Sequence, residues 1–288
     1  MSRFVLSKGD HRVEVFDPRV DPLALGARYV HGGYIARWTW GDRCLTGRPK
    51  AEWNPYEGEG LPETFEYGLG WSAAEEGQEF LRIGAGRLRR TGRNWPQAGG
   101  QLVSPVHWAL EDSASDSLRV TCKDSVRIGH DVYGYELERQ VLVHPDGVES
   151  RTRLCIACPW SHPVFWFAHP FFRHADGSGT RIQVPPGACC SEGLARGADG
   201  RVGTEMSGGF GTVTGLWGDR NAIAVNLDAR QGGGQVWIEL SRPLDKLVVF
   251  STPLVFSVEP YLARAWHDKE EAEWSLRYRV VSPTSAGC

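Results

Sequence analysis

The sequence predicts an all-β protein built as a sandwich or barrel of antiparallel strands. Runs in which apolar and polar residues alternate recur along the 288-residue chain, and no run of a dozen residues repeats apolar positions at helical spacing. Clusters of Gly, Pro, Asp and Asn separate these runs at intervals of roughly a dozen residues, which is typical of sandwiches and barrels. We therefore expect almost no helix.

The predicted strands, in chain order, are Arg12–Phe16, Ser117–Thr121, Tyr133–Val143, Val148–Ala157, Val236–Leu240, Leu247–Ser251 and Trp274–Val281. His144-Pro145-Asp146-Gly147 lies between two of them and predicts a hairpin turn. The strands are too many for one Ig-like domain of about 100 residues. Two Gly-rich segments, Gly193–Gly211 and Gln231–Gly234, are predicted loops of modest length, and no linker or repeat divides the chain. We expect one continuous β-domain over residues 1–288.

The charge and composition exclude several classes of protein. Lys and Arg total 32 against 35 Asp and Glu, so no basic excess is present to attract nucleic acid. No apolar run approaches the roughly 20 residues of a membrane span, and the first residues carry no secretory signal. Seven cysteines, an odd number in a chain of this length, favour reduced thiols. We expect a cytoplasmic protein with neither nucleic acid nor membrane as a partner.

Tryptophan is unusually frequent. The 12 Trp residues outnumber the 8 Tyr and rival the 11 Phe. Indole rings stack on the apolar faces of sugars, and they also fill the cores of large β-sandwiches. Both interpretations remain open for any single tryptophan.

Metal and nucleotide motifs are weak. Cys155 and Cys158 form a C-x-x-C inside a predicted strand, where residues three apart point to opposite faces, and no second pair follows. The same geometry opposes a metal site made from His162, His169 and His174. The chain has no dinucleotide fingerprint and no P-loop. We expect no metal and no cofactor.

Two segments place a titratable residue in apolar surroundings. VFWFAHPFF, Val164–Phe172, contains His169, and VFSVEPYLA, Val255–Ala263, contains Glu259. Proline follows each of the two residues, which marks strand ends, where sheet proteins present functional groups. A histidine near neutrality is suited to proton transfer, and a carboxylate in such a strand must be paired or shifted in pKa. The alternative is a core histidine and a structural ion-pair acid.

Six motifs occur in a fixed order over nearly the whole chain. They are GARYVHGGYIARW from Gly26, ETFEYGLGW from Glu63, QEFLRIGAGRLR from Gln78, YGYELER from Tyr133, FAHPFF from Phe167 and Glu259-Pro260-Tyr261 with a later Trp274 and Tyr278. This order resembles the aldose 1-epimerase (galactose mutarotase-like) superfamily, especially its bacterial aldose 1-epimerase-like branch. The resemblance implies a β-supersandwich of two large antiparallel sheets packed face to face, with a sugar cleft on one of them.

The resemblance also implies an acid and a base. His169 matches the histidine that acts as general acid in the family, and Glu259 matches the general base. Glu259 would take the proton of the anomeric hydroxyl while His169 protonates the ring oxygen, and the opened ring would then close on its other face. The implied reaction needs no metal and no nucleotide.

The resemblance matches the sugar-binding residues less closely than the acid and the base. Arg87 or Arg90 in GRLRR is the candidate for the family arginine that binds a hydroxyl, and Glu66 in ETFEYG is a candidate hydroxyl ligand or an edge-strand acid. Candidate stacking residues are Trp71, Trp166 and Tyr261. The sequence departs from the family at Ala168, which stands where the family has Asn, and at His107, which lacks the Gly that follows the family's earlier His.

Three functions follow from these observations. The first is an epimerase or mutarotase acting on an aldose or an aldose derivative. The second is a non-catalytic sugar-binding protein, which the missing second histidine favours. The third is a lyase or hydrolase, for which Glu66 and Glu259 would be the carboxylate pair. A phosphorylated sugar would fit only if Arg87, Arg89, Arg90 and Arg93 converge near the cleft.

Overall fold

The computed structural model describes residues 1–92, 101–174, 181–184, 188–197, 201–204, 209–214, 222–226 and 234–281. These residues form one short 3₁₀ helix, Pro22–Leu25, and the following strands. The strands are β1 Arg3–Lys8, β2 His11–Phe16, β3 Ile35–Trp40, β4 Arg43–Cys44, β5 Glu63–Phe65, β6 Glu79–Arg82, β7 Gly86–Arg89, β8 Leu102–Pro105, β9 Trp108–Ser113, β10 Ser117–Ile128, β11 Asp131–His144, β12 Gly147–Ala157, β13 His162–Ala168, β14 Phe172–Arg173, β15 Arg181–Gln183, β16 Cys189–Cys190, β17 Ala195–Arg196, β18 Val202–Gly203, β19 Gly209–Thr214, β20 Ala222–Asn226, β21 Gln235–Leu240, β22 Lys246–Ser251, β23 Val255–Trp266 and β24 Glu270–Val281.

Two large antiparallel sheets dominate the fold. The first has ten strands in the order β17-β18-β15-β20-β21-β24-β12-β11-β10-β9. The second has seven strands, β16-β19-β22-β23-β13-β5, with β14 also paired to β23. A four-stranded sheet, β1 to β4, and a three-stranded sheet, β6 to β8, complete the structure. The all-β prediction is therefore confirmed.

The two large sheets pack face to face. In the ten-stranded sheet, Trp274 of β24 lies 5.5 Å from Trp166 of β13 and 6.2 Å from Phe65 of β5, between ring centroids. Phe172 of β14 lies 6.1 Å from Tyr278 of β24. All five rings are buried, and aromatic pairs at these separations dominate core packing energies. These tryptophans fill the core rather than a binding surface.

The predicted strands all occur, most of them longer than predicted. The hairpin expected at His144–Gly147 joins β11 to β12, with His144 paired to Gly147 across the two-residue turn. Of the strands in the two small sheets only β2 was predicted, as Arg12–Phe16.

The segment Gly193–Gly211 was predicted to be a loop, but its described part contains β17, β18 and the first residues of β19. Strands this short among glycines carry too little alternation to be recognised. Of Gln231–Gly234 only Gly234 is described, and the single domain stays a prediction. In the described ranges no helix is long and apolar enough to cross a membrane.

A buried ion pair joins the two large sheets. Glu63 of β5 accepts a hydrogen bond from Arg139 of β11 at 2.5 Å, and both side chains are almost fully buried. Ser150 and the Trp166 indole also donate to the Glu63 carboxylate, at 2.5 and 3.0 Å, and Arg139 donates to Thr152. A buried charge needs such partners, because desolvation otherwise costs several kcal/mol, on the order of 3–5 when one partner is removed.

Candidate active site

His169 and Glu259 face each other across two paired strands. β13 and β23 are antiparallel with Phe167 opposite Tyr261, and the same register continues to Phe172 opposite Phe256. Extending this register places His169 opposite Glu259. His169 Nε2 lies 3.2 Å from Glu259 Oε1. The sequence analysis predicted a strand end at both residues. This is correct for His169, which directly follows β13, and wrong for Glu259, which lies inside β23, where Glu259 and Pro260 pair with Val248 and Leu247 of β22. The pairing register brings the two side chains into contact.

The pair is enclosed by aromatic rings. The imidazole of His169 lies 4.4 Å from the ring of Phe171 and 5.8 Å from that of Phe250, between centroids. Tyr29 and Phe167 each lie 6.2 Å away. His169 is 5% exposed and Glu259 is 4% exposed. The two groups therefore lie in surroundings of low polarity.

Ser257 is a third member of the site. Strand alternation puts Ser257, Glu259 and Tyr261 on one face of β23. The Ser257 hydroxyl lies 3.0 Å from His169 Nδ1 and also hydrogen-bonds the Glu259 carboxylate. The Tyr261 hydroxyl donates to Glu259 Oε2 at 3.5 Å. Ser257 thus holds one imidazole nitrogen and leaves the other directed at Glu259. Period-two alternation about Glu259 could have identified it from the sequence.

Burial controls the protonation of the pair. Desolvation raises the pKa of Glu259 to about 8, against the lowering effects of Arg28, Ser257 and Tyr261. Desolvation, reinforced by the positive charge of Arg28, lowers the pKa of His169 well below its ordinary value. At neutral pH the resting pair is thus a carboxylic acid beside a neutral imidazole. The pair therefore has one proton that Glu259 can donate and one imidazole nitrogen that can accept a proton.

A group of half-buried charged side chains surrounds the pair, and we call it the rim: Arg28, Glu66 and Lys246. The charge of Arg28 acts on both His169 and Glu259, and its guanidinium lies over the Tyr29 ring. Lys246 lies 4.2 Å from the ring centroid of Tyr261. The rim offers hydrogen-bond donors and acceptors beside an aromatic surface.

Tyr261 and Glu66, both predicted, lie at the site. The Tyr261 ring stacks on Phe167 at 4.4 Å and 11°. Glu66 follows β5 directly, and its charge acts on Tyr261. Sequence analysis missed Arg28, although it lies in the GARYVHGG motif, and missed Lys246, which no local signal distinguishes from a solvated lysine.

Three predicted sugar-binding residues lie elsewhere. Trp166 is 1% exposed and points into the core, because it is three residues from His169 and strand alternation turns it to the opposite face. Arg87 is held by Asp124 at 2.7 Å, on the side of the molecule formed by β7 and β10. Trp71 packs against the main core and under the Arg90 guanidinium. None of these three side chains lies at the His169–Glu259 pair.

The arginines of the GRLRR motif do not converge on the pair. Arg87 binds Asp124, Arg89 lies 3.9 Å from Glu79, and Arg90 donates to the carbonyl oxygens of Trp71 and Ala74. Arg93 lies outside the described residues. This motif therefore gives no support to a phosphorylated substrate at the pair.

No group of three or more His, Cys, Asp or Glu side chains within the described ranges is arranged to hold a metal ion. His174 bonds the Thr252 carbonyl at 2.6 Å, and His162 lies at the opposite end of β13, across from Trp266. Cys158 is buried while Cys155 is partly exposed, in keeping with opposite strand faces.

Glu259→Gln is expected to stabilise the protein. The carboxyl of Glu259 stays neutral in the folded protein up to about pH 8 but ionises near pH 4.5 in the unfolded chain. Its favourable contribution is therefore complete below pH 4.5 and is lost as the pH rises through 8. Gln remains neutral in both the folded and the unfolded state. The stability that the variant gains over wild type should therefore grow between pH 4.5 and 8. Each pKa unit is worth about 1.4 kcal/mol, which gives a few kcal/mol.

Thermal unfolding from pH 4 to 9 measures this effect. The control is Glu271→Gln, which removes an exposed carboxylate that hydrogen bonds from Arg153 hold at a lowered pKa. A difference in Tm between wild type and Glu259→Gln that does not change with pH would contradict the assignment of a neutral, buried Glu259.

No protein-family model matches the sequence, and no curated protein is similar to it in sequence. Solved structures do resemble it. A galactose mutarotase related enzyme from Lactobacillus acidophilus superposes with a TM-score of 0.63, at 10% identity, over 98% of each chain. A galactose mutarotase-like protein from Lactobacillus casei gives 0.60 at 12% identity, over 97% of this chain and 100% of the other.

An aldose epimerase homologue from C. elegans gives a TM-score of 0.56 at 8% identity, over 98% of this chain and 99% of the other. Identities this low establish architecture and not activity. The superpositions extend over nearly the whole of each chain. The fold of this chain is therefore that of the galactose mutarotase-like proteins, as the order of its sequence motifs predicts.

Proposed function

We propose that this protein is an epimerase that interconverts the anomers of an aldose or an aldose derivative. The observation that carries the proposal is the contact of 3.2 Å between His169 Nε2 and Glu259 Oε1 inside an aromatic enclosure. Anomer exchange removes one proton from the anomeric hydroxyl and adds one to the ring oxygen. A pair that holds a single transferable proton supplies both functions at once.

The reaction balances without any further reagent. The base takes the proton of the anomeric hydroxyl, whose electrons form the aldehyde double bond as the bond between the anomeric carbon and the ring oxygen breaks. The acid delivers its proton to that ring oxygen. Rotation about the bond to the aldehyde carbon, followed by the reverse steps, closes the ring on the other face.

The contact between the two side chains also lets them return to their starting protonation states. After one turnover of ring opening, the proton has moved from one member of the pair to the other. The distance of 3.2 Å allows it to return directly, without a water molecule as carrier. The family resemblance assigns the acid to His169 and the base to Glu259. In the resting pair the proton is on Glu259, so Glu259 is the acid and His169 is the base. In either arrangement the pair contains one acid and one base.

The surroundings suit a sugar. Phe167 and Tyr261 give the site an aromatic wall, and Arg28, Glu66 and Lys246 provide charged partners for hydroxyl groups. General acid–base assistance of this kind contributes roughly 10²–10⁴-fold, enough for a reaction that already proceeds slowly in water.

Anomer exchange followed by NMR tests the proposal. Freshly dissolved α-anomers of glucose, galactose and other aldoses are expected to equilibrate faster with the protein than without it. Saturation-transfer signals from a sugar, without faster exchange, would instead support a non-catalytic binding protein, the function favoured by the missing second histidine. If no aldose in the panel is exchanged or bound, the proposal fails.

A further inference from the structure

A cavity rich in basic side chains lies away from the His169–Glu259 pair. It measures about 690 Å³ and opens between β3 and β4 of the four-stranded sheet and the edge of the seven-stranded sheet at β14 and the start of β23. Cavities of roughly 300–1,000 Å³ are the size that binds small molecules. Neither member of the pair, nor Ser257 or Tyr261, lines it.

The charges that line this cavity are unbalanced. Five Lys and Arg side chains contribute to its wall against one carboxylate: Arg3, Arg37, Arg48, Lys50 and Arg173, against Glu59. Glu59 is fully engaged, at 2.9 Å from Arg3 and 3.1 Å from Arg48. Lys50 is paired with Glu57 at 2.7 Å.

Arg37 and Arg173 form no salt bridge within the described residues, although Arg37 hydrogen-bonds Cys44 and lies near enough to Glu14 and Glu59 to interact with their charges. Glu14, the cross-strand neighbour of Arg37, bonds Arg3 and Arg12 instead. Arg173 donates only to the carbonyl oxygen of Thr46, at 3.2 Å. Both guanidinium groups are exposed at the cavity, so each retains donors directed to solvent.

We propose that this cavity binds the phosphate group of a small phosphorylated molecule. Two exposed guanidinium groups that form no salt bridge in the described ranges match the charge of roughly −1.5 to −2 on a phosphate monoester at pH 7. Guanidinium also binds phosphate oxygens in a bidentate geometry. Ala36, Val255 and the half-exposed Leu254 add an apolar wall beside the arginines, which suits an organic ester more than the bare ion.

The backbone keeps this cavity open. Gly47 lies on its wall, where a Cβ atom would come within 3.0 Å of Val255 Cγ1 and 3.4 Å of Arg173 Cγ. The Gly47 amide donates to the carbonyl of Phe171, the residue that packs against His169. The cavity and the pair are thus separate sites supported by neighbouring backbone.

Isothermal titration calorimetry with inorganic phosphate, glucose 6-phosphate and glucose tests whether the cavity binds phosphate. Both phosphates are expected to bind saturably, with an affinity that falls as salt is added. The Arg37→Ala/Arg173→Ala variant should bind both at least about tenfold more weakly, since hydrogen bonds from charged donors are lost. Tighter binding of glucose 6-phosphate than of inorganic phosphate would identify an organic ester as the ligand class.

The matched control is Arg119→Ala/Arg127→Ala, which removes the same charge from exposed positions on β10. It should bind phosphate as wild type does, and so should His169→Ala, whether or not the protein has epimerase activity. Three results would each overturn the proposal: no saturable phosphate binding, equal losses in the two double variants, or loss of phosphate binding in His169→Ala.

Discussion

His169→Ala is expected to reduce the rate of protein-catalysed anomer exchange by roughly 10²–10⁴-fold, the usual contribution of a positioned acid or base. Glu259→Gln should cause a loss of similar size, because an amide can neither take nor give a proton. The double variant should lose little more than the worse single variant, since the pair acts as a unit. The NMR assay described above measures all three rates.

The matched control is His162→Ala. His162 is also buried in β13, with its pKa lowered by desolvation, but it lies at the far end of the strand. All variants should be compared at a temperature at which each is folded. If His169→Ala and His162→Ala exchange anomers equally fast, His169 has no part in the reaction.

The pH dependence of the anomer-exchange rate is a second test of the same pair. Exchange needs one proton on the pair, so activity should fall as Glu259 loses its proton near pH 8. On the acid side it should fall only where His169 gains a proton, well below pH 6.5. A rate that rises steadily through pH 9 would show that a neutral Glu259 is not required.

The second large effect concerns stability. Glu63→Ala is expected to lower the free energy of unfolding by about 3–5 kcal/mol, because it leaves the Arg139 guanidinium buried without its carboxylate. The Trp166 indole and the Ser150 hydroxyl lose an acceptor in the same substitution. Urea unfolding followed by tryptophan fluorescence measures the change.

The double variant Glu63→Leu/Arg139→Leu distinguishes lost pairing from lost packing. Replacing both charges with apolar groups removes the unpaired ion, and buried pairs replaced in this way often cost little. We expect the double variant to be more stable than Glu63→Ala. If it is equally unstable, the Glu63 side chain stabilises the protein by filling space and not by holding Arg139.

Local pattern was enough to predict the strands and the two titratable residues. Alternation in Tyr133–Val143 and Val148–Ala157 predicted β11 and β12, and the turn signal in His144-Pro145-Asp146-Gly147 predicted their pairing. His169 and Glu259 were recognised because each interrupts an apolar run before a proline. The same alternation argues against Trp166 as a sugar-binding residue beside His169, since residues three apart on a strand point to opposite faces.

The tertiary structure decided how those pieces meet. The register of β13 against β23 places His169 opposite Glu259. Nothing local to either strand specifies this register, because the paired residues Phe167 and Tyr261 are 94 positions apart in the sequence. The same holds for Arg28, Lys246 and the Glu63–Arg139 pair, whose partners lie on distant segments. The sequence alone determined that this chain is all-β and contains a candidate acid and base. Only long-range strand pairing and burial made them one site with shifted pKa values, because desolvation and contact depend on every element packed around them.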